Sequence, residues 1–360
     1  MEIAAKATGN QTLPRKKTKN QSIECCRLIA SFFVVFGHCK FPGVLGEILD
    51  CMARYTVPFF FMVSGYFAYQ AGSDVLKRRF LAHVKLTVSG ILLYAVWEVI
   101  QVVIIGHNSF VTWLKWKFSF YSFMQLVLIS ESSLIKVHMW YLAAAVVCHG
   151  ILWAYACWAE GGKIDYKPLY IVSACLFVIH VLLSSVATAA GFAVPHQTYR
   201  NAWFYGMPMI TMGIFIREYY DKIMSAYRLN EKKLILLILT GIIFSLVQWY
   251  GTGKVELPLA INVEAVALML LMITVPTVTK KSGLLSAAIA SFGSLSVYIY
   301  ISHVFWRDIY LMYLMKYALR FGEKAETYLY PIVVLGISVA TGIVWECGKA
   351  LLKRMRSGKM

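Results

Sequence analysis

The chain has 360 residues, 59% of them hydrophobic and 15% charged, with 35 Lys and Arg against 18 Asp and Glu and a formal net charge of +17. A mean hydropathy of +0.64 lies far outside the range of water-soluble domains and excludes that class. The basic residues sit in short clusters between apolar runs and form neither a stripe nor a nucleic-acid motif, so the lipid bilayer is the expected partner and nucleic acid is not.

Residues 1–21 read as a basic tail containing Arg15, Lys16, Lys17 and Lys19. No small-residue cleavage site follows the first apolar run, so that run is expected to remain in the protein. A helix needs ~20 predominantly apolar residues to cross the hydrocarbon core. Runs of that kind lie at about 23–40, 54–70, 82–106, 138–158, 168–187, 203–217, 233–250, 258–278, 288–315 and 329–352. The predicted fold is therefore an all-α polytopic membrane helix bundle of about ten transmembrane helices, with one membrane domain over 22–352 and a second basic tail over 353–360. No repeat and no appended soluble domain is predicted. Segment 110–131 mixes Trp113, Trp116, Phe118, Phe120 and Tyr121 with Lys115 and Lys117, which suits an interfacial helix better than a span.

With the N-terminus inside, cytoplasmic segments hold 23 Lys and Arg residues and external segments hold 11. The positive-inside rule then places both termini in the cytoplasm. The eight cysteines show no CxxC and no Cys/His ligand spacing. Most of them (Cys25, Cys26, Cys39, Cys148, Cys157, Cys175, Cys347) lie in apolar segments and are expected to be small core residues, not metal ligands or disulfides.

Ionisable groups at membrane depth are costly and mark sites by default. The first span carries two, Arg27 and His38. Eleven residues at 100° each come within ~20° of three full turns, so the two side chains share a face and are ~16 Å apart along the axis. Arg27 falls near the cytoplasmic end and His38 near the outer end. Snorkelling to lipid phosphate would account for Arg27, and ordinary packing in the bundle for His38. The second span, Val57-Pro58-Phe59-Phe60-Phe61-Met62-Val63-Ser64-Gly65-Tyr66-Phe67, places proline, serine and glycine in an aromatic helix, where a kink or a close helix crossing is expected. Lys77, Arg78 and Arg79 follow at the cytoplasmic face.

The Arg-x10-His spacing and the Val-Pro-Phe-Phe-Phe-Met-Val-Ser-Gly-Tyr run together resemble the first two helices of acyltransferase family 3, a family of integral-membrane acyltransferases. His138-Met139-Trp140-Tyr141-Leu142, Tyr199-Arg200-Asn201 with Gly206, Pro208 and Gly213, and Ser291-Phe292-Gly293 through Tyr298-Ile299-Tyr300-Ile301-Ser302-His303 extend the resemblance in the family's order, from about 22 to 350.

The resemblance implies transfer of an acyl group, usually acetyl, from cytoplasmic acyl-coenzyme A to a hydroxyl of a glycan or small molecule. No metal is expected. On this reading His38 is the general base, with a side chain that titrates near operating pH. Arg27, Lys77, Arg78 and Arg79 hold the coenzyme's phosphates. Ser64 either donates to the thioester or bonds a backbone carbonyl in its own helix. Trp140, Tyr141, Arg200 and His303 are candidate acceptor contacts, each of which also has a structural explanation as an interfacial anchor or helix-end cap. The expected location is a cell membrane, the bacterial cytoplasmic membrane, as a multi-pass protein.

Many glycan-modifying relatives carry a carboxylate just after the tryptophan of the fourth span. Here that stretch is Trp140-Tyr141-Leu142-Ala143-Ala144-Ala145-Val146, without an acid, which leaves Glu24, Glu98 or Glu131 to supply one. Glu98 and Glu264 lie inside predicted spans and need partners. The His138-x-Trp140-Tyr141 and Tyr199-Arg200-Asn201 segments resemble the membrane half of vancomycin-resistance serine racemases, so with the missing acid a transporter of a small polar solute such as serine is the second reading. A non-catalytic partner in envelope assembly is the third.

Overall fold

A computed structural model describes residues 20–105, 109–130, 136–159, 162–251, 257–275, 284–312 and 323–356. The basic tail before residue 20, Glu131 and the last four residues lie outside these.

Among the described residues there are helices and no strand. In chain order the helices are α1 (Gln21–His38), α2 (Gly43–Ala53), α3 (Thr56–Ala68), α4 (Ser73–Ile105), α5 (Phe110–Lys117), α6 (Phe120–Ile129), α7 (Trp140–Trp158), α8 (Lys167–Val181), α9 (Ala187–Ala189), α10 (His196–Tyr199), α11 (Met207–Ala226), α12 (Glu231–Gly251), α13 (Ala260–Thr274), α14 (Leu284–Ile309) and α15 (Glu323–Arg356). Wider π turns, Leu182–Val186 and Ala202–Gly206, join α8 to α9 and lead into α11.

Local chemistry sets the boundaries. The Asn20 side chain accepts from the Ile23 amide at 3.2 Å and caps α1, with Glu24 in the first turn complementing the helix dipole. Pro42 and Gly43, the latter at φ 64°, break the chain between α1 and α2. Pro58 falls in the first turn of α3, where its missing N–H costs nothing, so the close crossing and not a kink is the outcome there.

That crossing is between α3 and α11. A Cβ on Gly65 would overlap the Ile210 carbonyl, and a Cβ on Gly213 would overlap the Met62 carbonyl. The two glycines thus let each helix lie directly on the other's backbone, in the way small residues permit in membrane bundles. Arg217 of α11 reinforces the pair, donating to the Tyr66 hydroxyl at 2.7 Å with its guanidinium 4.9 Å from that ring. Other pairings are α1 with α14, α4 with α7, α12 with α13 and α14 with α15.

Every one of the ten predicted runs overlaps a helix. Among the described residues, five helical stretches are long and apolar enough to cross a membrane: Ser73–Val103, Val137–Trp158, Lys167–Ala189, Glu231–Gly251 and Thr327–Leu352. The other five runs fall on α1, α3, α11, α13 and α14, which are shorter or carry charged residues. These helices take many of their contacts from other helices, and inside a bundle a helix need be neither uniformly apolar nor full length.

Segment 110–131 forms two short helices, α5 and α6, with Trp116, Phe118, Phe120, Tyr121 and Phe123 exposed. The cysteines are free, and Cys26, Cys39, Cys51 and Cys148 are buried. Cys157, Cys175 and Cys347 are exposed, which corrects the expectation of a core position for these three: apolar segments here have an outward face as well as a core face.

Gly65→Val and Gly213→Val are each expected to lower the melting temperature of the detergent-solubilised protein sharply or to abolish its monodisperse elution. Gly336→Ala, where a Cβ meets nothing within 4 Å, should leave both unchanged.

Candidate active site

The helix directions put two cavities one above the other between α1, α3, α7 and α14. The first, of about 430 Å³, is lined by Arg27 of α1, Ser64 of α3, Arg79 and His83 of α4, His149 of α7 and Ser296 of α14. The second, of about 240 Å³, is lined by His38, Asp50, Arg54, His138, Trp140 and Arg200. Phe60, Tyr141 and Tyr300 line both. Their rings stand close, 6.0 Å between the Phe60 and Tyr141 centroids and 5.6 Å between Tyr141 and Tyr300, so three aromatic side chains form the wall between a vestibule and a chamber.

Arg27 and His38 therefore lie on opposite sides of one thin partition, consistent with their shared helix face. In the vestibule, Glu24 pairs with Arg27 at 3.4 Å across one turn of α1. Both carboxylate and guanidinium lie over Gly293 of α14, where a Cβ would overlap Glu24 and approach Arg27 Nη1 to 2.8 Å. Glycine at that position leaves the space the pair occupies. Arg79 also faces the vestibule, whereas Lys77 and Arg78 are exposed and do not line it, and Lys77 lies 5.6 Å from the Trp153 ring. In the vestibule wall the His83 and His149 rings stack with centroids 4.0 Å apart. Each has its Nδ1 within hydrogen-bonding distance of the carbonyl four residues back, Arg79 at 2.9 Å and Ala145 at 2.8 Å.

His38 and His138 line the chamber, and His303 packs against both. His38 is exposed, and the space it faces is the chamber. Its ring centroid is 5.1 Å from His303 and 6.0 Å from His138, and those two are 5.1 Å apart. His303 sits inside α14, fully buried, with Nδ1 3.1 Å from the Ile299 carbonyl and Nε2 without a hydrogen-bond partner. His138 is 4% exposed, and neither ring nitrogen has a partner. The Tyr300 hydroxyl donates to the His138 carbonyl, tying the start of α7 to α14. Among the described residues no three His, Cys, Asp or Glu side chains are arranged to hold a metal ion.

Arg200 reaches the chamber from a corner fixed by Asn201. The Asn201 side chain accepts from the Trp203 and Phe204 amides, both at 3.0 Å, and donates to the Gln197 and Thr198 carbonyls at 3.2 and 2.9 Å. One buried amide thus closes both the end of α10 and the π turn leading into α11, and Arg200 projects between them with its guanidinium 5.1 Å from the Trp140 ring.

The chamber's carboxylate comes from α2, a helix the hydropathy pattern did not indicate. Asp50 is 3% exposed and is bridged by Lys40 at 2.7 Å and Arg54 at 3.0 Å. Sequence reasoning missed Asp50 and Arg54, and it quoted His138 only as part of a motif. An acid and a base four residues apart, the spacing of a helical ion pair, was the available signal for α2.

The other acids have different partners. Glu98 receives Lys117 Nζ at 3.1 Å and Trp113 Nε1 at 3.0 Å, with Lys136 at 3.6 Å, and so secures α5 to α4. Glu264 is buried on α13, its Oε2 without a partner, away from both cavities.

Fold and site together define a helical membrane protein whose polar side chains are gathered around two stacked internal cavities. The family model of the acyltransferase domain, acyltransferase family 3, matches residues 20–345, and the chain belongs to that family of membrane acyltransferases. No curated protein and no solved structure gives a match.

Asp50→Ala removes the buried carboxylate that Arg54 and Lys40 share and is expected to destabilise the protein by about 3–5 kcal/mol, with Lys40, largely in water, adding little. Denaturation of the purified variant measures this. An unchanged midpoint would show that the pair does not secure α2.

Proposed function

We propose that the protein transfers an acyl group, acetyl being the expected one, from acyl-coenzyme A to a hydroxyl acceptor, with the donor in the vestibule and the acceptor in the chamber. The observation that carries this reading is the pair of cavities on the two sides of Phe60, Tyr141 and Tyr300, with Arg27 and Arg79 on one side and His38 on the other. Arg27 and Arg79 bind the donor's phosphates through charge-assisted hydrogen bonds. The pantetheine arm then carries the thioester to the aromatic partition, and Ser64 and Tyr141, both lining the vestibule, are its polar contacts there.

In the chamber a His38 ring nitrogen takes the proton of the acceptor hydroxyl as its oxygen attacks the thioester carbonyl. The C–S bond breaks as the tetrahedral intermediate collapses. Coenzyme A leaves as the thiolate and gains a proton, and the product is the acyl ester. Among the described residues lining the chamber there is no serine or cysteine, and the Thr56 hydroxyl is engaged with the Ala53 carbonyl at 2.7 Å, which favours direct transfer over a covalent acyl-enzyme. His303 and His138, ringed around His38, orient it. Trp140, Tyr141 and Arg200 contact the acceptor.

The reading places the chain across a cell membrane in about ten spans with both termini in the cytoplasm, so that the vestibule faces acyl-coenzyme A and the chamber faces outward. The acceptor is a glycan or a small hydroxyl compound. A second reading, passage of a small polar solute such as serine, draws on the same stacked cavities, with the three rings as a gate. Uptake into proteoliposomes without acyl-coenzyme A would establish it.

His38→Ala is expected to lower acyl transfer by 10²–10⁴-fold while acetyl-coenzyme A still binds, and wild-type turnover in this variant would overturn the assignment. Calorimetry with acetyl-coenzyme A should show weakened binding in Arg27→Ala and Arg79→Ala and near wild-type binding in Arg78→Ala. Gly293→Ala should fold normally yet bind the donor more weakly, because the methyl group displaces the Glu24–Arg27 pair.

A further inference from the structure

The His83–His149 stack in the vestibule wall joins α4 to α7 and leaves one ring nitrogen of each residue unused. A backbone carbonyl can only accept, so the Nδ1 atoms facing the Arg79 and Ala145 carbonyls at 2.9 and 2.8 Å carry the ring hydrogens. In the neutral rings each Nε2 is then a bare acceptor. Neither Nε2 has a hydrogen-bond partner among the described residues, although His149 is only 2% exposed. Buried polar atoms are normally satisfied, so two acceptors of this kind in the wall of a cavity point to N–H groups of a bound molecule.

The stack stands between Arg79 and the aromatic partition. α4 and α7 run antiparallel, with Phe80 beside Gly150 and Gly90 against Met139. His83 follows Arg79 by one turn, about 6 Å along α4, and Tyr141 lies eight residues from His149, about 12 Å along α7. All four side chains line the vestibule, so a molecule reaching from Arg79 to Tyr141 passes the stack. Arg27 and Arg79 can only donate hydrogen bonds, and Glu24 is engaged by Arg27 at 3.4 Å. The arginines therefore suit the oxygens of a ligand, and the two imidazoles suit its N–H groups.

We propose that His83 and His149 bind the two amide N–H groups of the donor's pantetheine arm, each Nε2 accepting one hydrogen bond, and so select acyl-coenzyme A over phosphorylated molecules without amides. The identity of the ligand rests on the acyltransferase reading. The amide nitrogens of pantetheine are separated by three carbon atoms, a span on the order of 4–5 Å with ordinary bond lengths. That matches two rings stacked 4.0 Å apart. Holding both amides fixes how far the thioester can travel, so the stack positions the acyl group at the partition as well as adding affinity.

The test is calorimetry on the intact protein in nanodiscs with four probes. They are acetyl-coenzyme A, two analogues in which one or the other pantetheine amide N–H is replaced by an ester oxygen, and adenosine 3′,5′-bisphosphate, which has no pantetheine arm. At least one ester analogue should bind wild type about five- to tenfold more weakly than acetyl-coenzyme A, the effect of one lost N–H donor. His83→Phe and His149→Phe keep a ring in the stack and remove the acceptor. Each should weaken acetyl-coenzyme A by a similar factor and leave the bisphosphate unchanged, and in the variant that faced the altered amide the ester replacement should have no further effect. His83→Gln, whose side-chain oxygen accepts, should retain part of the affinity. Equal binding of acetyl-coenzyme A and both ester analogues to wild type overturns the proposal, as does full acetyl-coenzyme A affinity in both folded Phe variants or a loss that the bisphosphate shares; if neither variant folds, the wild-type comparison decides. In all of these outcomes acetyl-coenzyme A binds and the acyltransferase reading stands, whereas absence of acetyl-coenzyme A binding to folded wild type sinks both.

Discussion

The reciprocal seating of α3 and α11 on each other's backbone, with Gly65 under the Ile210 carbonyl and Gly213 under the Met62 carbonyl, is the constraint on which the rest of the bundle depends. Attraction between helices in lipid is weak unless the backbones come close, and glycine is the residue that lets them. With α3 held there, Phe60 and Ser64 point toward α1, α7 and α14, and Phe61 packs against Tyr141 at 4.8 Å. On the other side, α11 fixes the π turn and, through Asn201, the corner from which Arg200 projects. One backbone contact thus locates an aromatic wall and a cation of the chamber together.

The polar groups serve different ends. Those with strong mutual partners, such as Glu98 with Lys117 and Lys136, or Asp308 with Arg307 and Lys136, brace helix ends and the short helices near them. Among the buried atoms left without hydrogen-bond partners, the ring nitrogens of His138 and the Nε2 of His303 lie beside His38, whereas others, such as those of Ser184, Ser245 and Trp249, lie elsewhere. Unmet hydrogen bonds in a buried setting are unfavourable in the empty protein, and a ligand that meets them gains the difference. Glu264 is a buried acid outside both cavities, and the structure offers no role for it.

How much of this could be read beforehand depended on period and length. The 3.6-residue repeat put Arg27 and His38 on one face, and the structure places them in adjoining cavities on the two sides of one wall. Long apolar runs gave the helices, including those too short or too polar to cross a membrane on their own terms. The short helix α2 escaped because 11 residues bearing Gly43, Gly46, Glu47 and Asp50 look like a polar connection to any window sized for a bilayer. Asp50, an acid that lines the chamber, lies in that connection. The basic triplet after α3 was read as one unit, yet successive helical residues point 100° apart, so only Arg79 faces inward. Cys157, Cys175 and Cys347 show the same limit: hydropathy reports that a helix is apolar, not which of its faces meets the lipid.

The wall made by Phe60, Tyr141 and Tyr300 also has an electrical meaning. If the two cavities open to opposite sides of an energised membrane, as the proposed function requires, most of the voltage drop falls across the three rings. Each elementary charge moved through 100 mV involves about 2.3 kcal/mol of work, whereas a neutral acyl group passing the same point involves none. On the proposed reading the septum would therefore let an acyl group pass while holding back protons and ions.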